Sequence, residues 1–291
     1  MAFSEAKWEG IAPPEDGAAL RFLYHTRVGR ALLRPLTSRF VSRTVGAWMD
    51  SRLSKPMIRR FVRKNSIDLS EFESDNFTCF NDCFCRKIRD GLRPNDPDPD
   101  ALISPCDGLL SAYRLDADTV LPVKQSSYTL GALLADEALA SRFFGGTCLV
   151  FRLCVTHYHR YCYPVTGQKG ENVFIKGRLH TVRPIALRRV PVFSENCREY
   201  TVLESDKFGT LLQMEVGAML VGKIKNLHGA GEILRGEEKG MFLYGGSTVI
   251  LLLERDRAIL PEVFFSNTEQ GLETPVRMGE CIGRAPAANE E

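Results

Sequence analysis

The residues whose types and spacing could do chemistry sit in three short segments. The first is Tyr244-Gly245-Gly246-Ser247-Thr248, set between the basic turn Lys239-Gly240 and the strand-like run Val249 to Leu253. A serine placed directly after Gly-Gly can turn on its own preceding carbonyl, because glycine removes the Cβ that would block the approach and tolerates the backbone geometry the attack needs. Glycines before a strand also simply turn the chain, so the run needs companions. They are Ser104-Pro105-Cys106-Asp107-Gly108 and Thr156-His157-Tyr158-His159-Arg160-Tyr161-Cys162. A hydroxyl nucleophile needs a base, and histidine, with an ordinary pKa of about 6.5, takes and returns a proton near neutrality. Read singly, Asp107 in Pro-x-Asp-Gly also suits a turn, and His159 also suits a hydrogen-bonded core position.

Taken together with Val216-Gly217-Ala218-Met219-Leu220-Val221-Gly222-Lys223-Ile224, these segments resemble the phosphatidylserine decarboxylase family. Its members carry Ser-Pro-x-Asp-Gly, Tyr-His-Arg and Gly-Ser-Thr or Gly-Gly-Ser-Thr segments in this order and at similar spacing. The resemblance runs from about Arg21 to Gly283, nearly the whole chain. It implies a self-processing enzyme that removes carbon dioxide from phosphatidylserine to give phosphatidylethanolamine. Decarboxylating an amino acid leaves a carbanion, which needs a conjugated electron sink, and no side chain is a carbonyl. The resemblance implies that one is made. Ser247 Oγ attacks the Gly246 carbonyl, the resulting ester eliminates to dehydroalanine, and hydrolysis leaves a pyruvoyl group that forms a Schiff base with the substrate amine. The chain would then mature into fragments 1–246 and 247–291, held together as a heterodimer that can itself pair.

The same resemblance nominates Asp107 and His159 as orienting group and base, the logic of a serine hydrolase triad turned on the protein's own backbone. One departure bears on that assignment. Many members carry a second histidine three residues after the first, and here that position is Cys162. His157, two residues before His159, would share a face with it in a strand. His157 therefore stands as an alternative base, and Cys162 as a weak acid or a packing residue. Lys239 could meet a phosphate or sit solvated in a turn, and Thr248 could donate near the scissile carbonyl or begin the strand. The residues that bind substrate are not readable from these motifs.

The elements that must position these groups follow from charge and periodicity. Between Arg21 and Lys64 there are twelve Lys and Arg residues and a single acid, Asp50, so this stretch is strongly basic and the rest of the chain is net acidic. Phe22, Leu32, Leu33, Phe40, Trp48, Met57 and Phe61 recur among those charges at helical spacing, the pattern of short amphipathic helices. Such helices can pack their apolar face on a core, or lie on an anionic membrane where each basic residue gains about 1 kcal/mol. Nucleic-acid binding would use the same charge, but no motif for it is present. No run approaches the roughly 20 apolar residues of a membrane span, and the first residues lack the pattern of a secretory signal. The expected location is a peripheral one, on the cytoplasmic side of a membrane. Nine cysteines without Cys-x-x-Cys pairs argue for reduced thiols and against a zinc site.

The organisation expected is a loose leader over residues 1–20, a helical membrane-associating region over 21–92 that includes Phe80 to Phe84, and a catalytic domain over 101–291. The Pro- and Asp-rich loop 93–100 divides the last two. Short apolar runs at 109–113, 148–155, 190–192, 200–203, 210–214, 219–224 and 248–253 predict strands, with a helical insertion over 128–140. The fold class is therefore α+β, a basic amphipathic helical region packed on a β-rich body. Two further functions remain open at this level: a pyruvoyl-dependent decarboxylase of a soluble amino acid, and a membrane-binding protein in which Ser247 is never processed. An ordinary serine hydrolase is disfavoured because the Gly-x-Ser-x-Gly turn is missing.

Overall fold

The computed structural model describes residues 7–13, 16–116, 121–123, 126–187, 190–218, 223–244 and 247–287. Gly245 and Gly246, and the expected strand residues 219–222, lie outside them. The basic stretch forms four helices, α1 (Ala18–His25), α2 (Arg27–Leu36), α3 (Arg39–Met49) and α4 (Pro56–Lys64). Their starts are local: Thr26 and Ser38 accept the backbone N–H of Gly29 and Val41 as N-caps of α2 and α3, and Pro56 occupies the first turn of α4. Helices α1 and α2 cross closely at Gly29, where a Cβ would lie 2.1 Å from the Phe22 carbonyl oxygen.

These helices are only half committed to the core. Tyr24, Leu33, Met49 and Ile58 are buried, whereas Phe40 is 79% and Leu53 77% exposed, and Phe22, Val28, Leu32 and Trp48 are exposed as well. Among the described residues no helix is long and apolar enough to cross a membrane. Helix α5 (Phe80–Phe84) follows where the sequence predicts it and carries Phe80 and Phe84 inward.

The body is built on a nine-stranded sheet. Its central path runs through β9 (Arg198–Ser205), β10 (Gly209–Val216), β14 (Ser247–Leu253), β5 (Thr147–Leu153) and β2 (Gly108–Arg114), all antiparallel neighbours. Every residue of β14 is buried, so its five aliphatics Val249 to Leu253 each contribute about 1.5–3 kcal/mol of burial. A smaller ribbon stacks on this sheet, in the order β11 (Ile224–Asn226), β13 (Glu238–Phe242), β6 (Arg160–Cys162). The remaining strands, β1, β3, β4, β7, β8, β12, β15 and β16, are short edges of three or four residues. The insertion over 128–140 is two helices, α6 (Leu130–Leu134) and α7 (Glu137–Ser141), separated by Ala135 in the left-handed region.

Two expectations do not hold. The leader is not loose where it is described: Trp8 is buried edge-on against Phe264 at 4.8 Å, and Ile11 bridges the backbone of Glu273. The apolar run 190–192 is not a strand. Val190 bonds the Ala186 carbonyl, and Pro191, which cannot donate to a ladder, caps a one-turn helix, α9 (Val192–Glu195).

Candidate functional site

Ser247 is the first residue of β14 and lies opposite Leu153 of β5. Side chains alternate along a strand, and residues paired across a ladder share a face. Glu215 of β10 pairs with Val249, so Ser247, Val249, Glu215 and Gln213 all face the stacked ribbon. Thr248 faces the other way, opposite Val216 and Arg152. Its role is therefore to begin the strand, and its hydroxyl is turned away from the ribbon that carries the histidine.

That ribbon brings His159 in from the opposite side. His159 precedes β6, its carbonyl accepts the Phe242 N–H at 2.9 Å, and its ring packs 4.0 Å from the ring of Phe84. Phe84 and Phe80 in turn pack against Tyr244, at 5.3 and 4.9 Å, so an aromatic wall runs from the imidazole to the segment that leads into Ser247. Tyr244 is fixed further by its backbone N–H, which donates to Asn81 Oδ1 at 3.1 Å.

His159 is completely buried, and burial holds its pKa well below the usual imidazole value, helped by the nearby Arg86 cation. The ring is thus neutral. Its Nδ1 lies 2.8 Å from the carbonyl of His157, which can only accept, so Nδ1 carries the proton and Nε2 keeps its lone pair. Nε2 has no partner, and neither has the buried Ser247 hydroxyl. A buried polar atom left unpaired costs on the order of 1–3 kcal/mol. Two of them, a hydroxyl and the free nitrogen of a neutral imidazole, are the groups a proton transfer from serine requires.

The orienting group is not the one the sequence suggests. Asp107 is held by Arg93 through two hydrogen bonds of 2.8 and 2.7 Å and accepts the Met278 N–H at 2.9 Å. It bonds no imidazole; the tautomer of His159 is set by the backbone of His157. Asp107 instead locks the loop at Arg93 to the start of β2. His157 Nδ1 accepts the Cys154 N–H at 3.1 Å, and burial lowers its pKa too. Cys162 is buried beside Ala101, Ile103 and Cys281, and burial raises its thiol to about 12, so it packs and does not titrate near neutrality. All nine cysteines stand outside disulfides.

Lys239 is neither solvated nor near a surface. It is fully buried and donates to Glu215 Oε2 at 2.6 Å and to Asn226 Oδ1 at 3.3 Å. Asn226 also donates to Glu215 at 3.2 Å and Glu199 at 2.7 Å and accepts from Tyr161 at 3.1 Å. Burial lowers Lys239 and raises Glu215, while their contact opposes both shifts. The glycine at 240 makes room for this network, since a Cβ there would meet the Lys225 carbonyl oxygen at 2.3 Å. Glu215 was missed by motif reading, although a lone acid in the apolar run Thr210 to Ala218 is a visible signal. Arg93 and Asn81 carry no local signal at all.

Comparison with known proteins agrees with this arrangement. Residues 80–284 match the sequence profile of the phosphatidylserine decarboxylase family. The chain is 43% identical to phosphatidylserine decarboxylase proenzyme 2 of Clostridium acetobutylicum, over 91% of each chain. It is 40% identical to the phosphatidylserine decarboxylase proenzyme of Ruminiclostridium cellulolyticum, covering 96% of this chain and 95% of the relative. A Clostridium botulinum protein of the same name is 40% identical over 91% of this chain and 92% of its own.

Proposed function

The chain belongs to the phosphatidylserine decarboxylase family, and from that premise we propose that it cleaves itself between Gly246 and Ser247 and then decarboxylates phosphatidylserine to phosphatidylethanolamine. The observation that carries this reading is the pair of buried, unpartnered atoms Ser247 Oγ and His159 Nε2. His159 takes the Ser247 hydroxyl proton as that oxygen attacks the preceding carbonyl, and its Nδ1 stays bonded to the His157 carbonyl throughout. His157 and Cys162 take no part in this transfer. Asp107 acts one step removed, by fixing the loop at Arg93.

A pyruvoyl carbonyl made from Ser247 supplies the electron sink that an amino-acid carbanion needs. The site suits such a group, because its only neighbours of strong acidity or basicity are screened: burial keeps His159 neutral, and Lys239 is tied to Glu215. After carbon dioxide leaves, the α-carbon must regain a proton, and the imidazole of His159 is the group positioned to return one. The two fragments stay together because β14 lies between β10 and β5 and cannot leave without opening the sheet.

The exposed Phe22, Leu32, Phe40, Trp48 and Leu53, set among the arginines of α1 to α4, support attachment to an anionic membrane surface at its cytoplasmic face. A soluble amino-acid substrate would give no reason for that surface. The test is release of carbon dioxide from carboxyl-labelled phosphatidylserine by the purified chain. Turnover of the lipid and none of free serine is the expected result; turnover of free serine alone would reverse the substrate assignment.

A further inference from the structure

Between α3 and the body lies a cavity of about 420 Å³. Leu243 and Tyr244, which lead into Ser247, form one wall, and Ser42 and Arg43 of α3 form another. The chemistry of its lining is that of an anion site. Ser42 is wholly buried, yet its hydroxyl has no partner. Arg43 and Lys223 line the same space from two different elements, and among the described residues neither is held by an acid or a hydrogen-bond acceptor. Asp50 is the acid in the lining, and its carboxylate is occupied by the Asn81 amide at 2.8 Å. Two uncommitted cations and an orphaned buried donor thus surround a cavity that opens beside the nucleophile.

The geometry points to this cavity as the seat of the lipid's phosphodiester, an inference that rests on the phospholipid reading above. The Ser42 hydroxyl donates to a phosphoryl oxygen, and Arg43 and Lys223 neutralise its charge. Only a few covalent bonds separate that phosphorus from the serine amine, so the seat must adjoin Ser247, and Tyr244 places it there. Asn81 joins the two sides, taking Asp50 at the end of α3 with its amide nitrogen and the Tyr244 N–H with its oxygen. The acyl chains leave past α3, which carries the exposed Phe40 and Trp48.

The test uses wild-type, Arg43→Ala, Lys223→Ala and double-variant enzyme, each purified after self-cleavage. Carbon dioxide release is followed with a short-chain phosphatidylserine below its aggregation threshold, so that no bilayer is needed. Each single variant is expected to raise KM by about tenfold, and the double variant by more, with kcat within about twofold. Arg43→Lys recovers most of the loss. Glycerophosphoethanolamine, a soluble phosphodiester, competes with substrate in the wild type, better than inorganic phosphate does, and fails to compete in the double variant. An unchanged KM in the double variant overturns the proposal. So does a rise seen only with long-chain phosphatidylserine in vesicles, because the cations would then act on the membrane and not on the headgroup. Equal competition by inorganic phosphate overturns the assignment to a diester. A wild-type enzyme inactive on every phosphatidylserine sinks the decarboxylase reading instead, a failure distinct from these.

Discussion

Around Lys239, buried polar atoms find one another: its ammonium, Glu215, Asn226, Tyr161 and Glu199 form one connected network. Around Ser247, on the same face of the sheet, the serine hydroxyl and the His159 Nε2 find nothing. Both clusters are equally hidden from water, so burial alone does not tell a working site from a structural one. The satisfied cluster fastens the ribbon to the sheet and thereby sets where His159 stands. The unsatisfied pair stores the capacity to move a proton, and the stability lost there is offset by the strand it sits on.

That contrast is broken most severely by removing the base. His159→Gln is expected to slow self-cleavage about 10²–10⁴-fold while the melting temperature moves little, since the lost atom had no partner. Cleavage rates read from denaturing gels, beside a thermal melt, check both halves. Lys239→Met should do the reverse. It leaves Glu215 charged and unpaired in the core and costs about 3–5 kcal/mol, whereas Lys239→Met with Glu215→Leu recovers much of that. If the single variant melted like the wild type but did not cleave, the network would belong to the chemistry.

Acid sharpens the comparison through the histidines. His159 lies well below the usual value and His180, beside Tyr24, Glu195 and Arg178, is lowered to about 4, both chiefly by burial. Below about pH 6.5 the unfolded chain binds protons that these buried rings refuse, so stability is fully present above that pH and is lost as pH falls toward 4. Denaturant titrations from pH 7 to 4.5 should show that decline, and His180→Gln should make it shallower. The cleavage rate should stay level from pH 6.5 to 8, because His159 is neutral throughout. The smallest effect is expected from Cys162→Ala: about 1 kcal/mol of lost packing with an unaltered cleavage rate.

The two clusters also differ in how far the sequence discloses them. Ser247 and His159 announce themselves through local grammar, a Gly-Gly before a serine and a histidine in a short motif, and β14 is legible as five consecutive aliphatics. Helix α5 and the basic helices are legible for the same reason, since caps and periodicity are local. Lys239 is not. It reads as a turn because a lysine precedes a glycine, and only a partner 24 residues away on another sheet, Glu215, makes it a core residue. Asp107 fails similarly: its motif suits a catalytic carboxylate, but Arg93, in a loop of prolines and aspartates, claims both its oxygens. The orienting acceptor for His159 is a backbone carbonyl, which no sequence pattern displays.

The central claim is that the unpartnered pair cuts its own chain, and intact mass of the purified protein tests it most directly. Wild-type protein should give two fragments, 1–246 and 247–291, the smaller one short by the mass of ammonia, gaining that of an oxygen-for-nitrogen exchange, and reactive toward hydroxylamine, while Ser247→Ala stays whole. A single uncut wild-type chain after incubation at neutral pH would contradict the account.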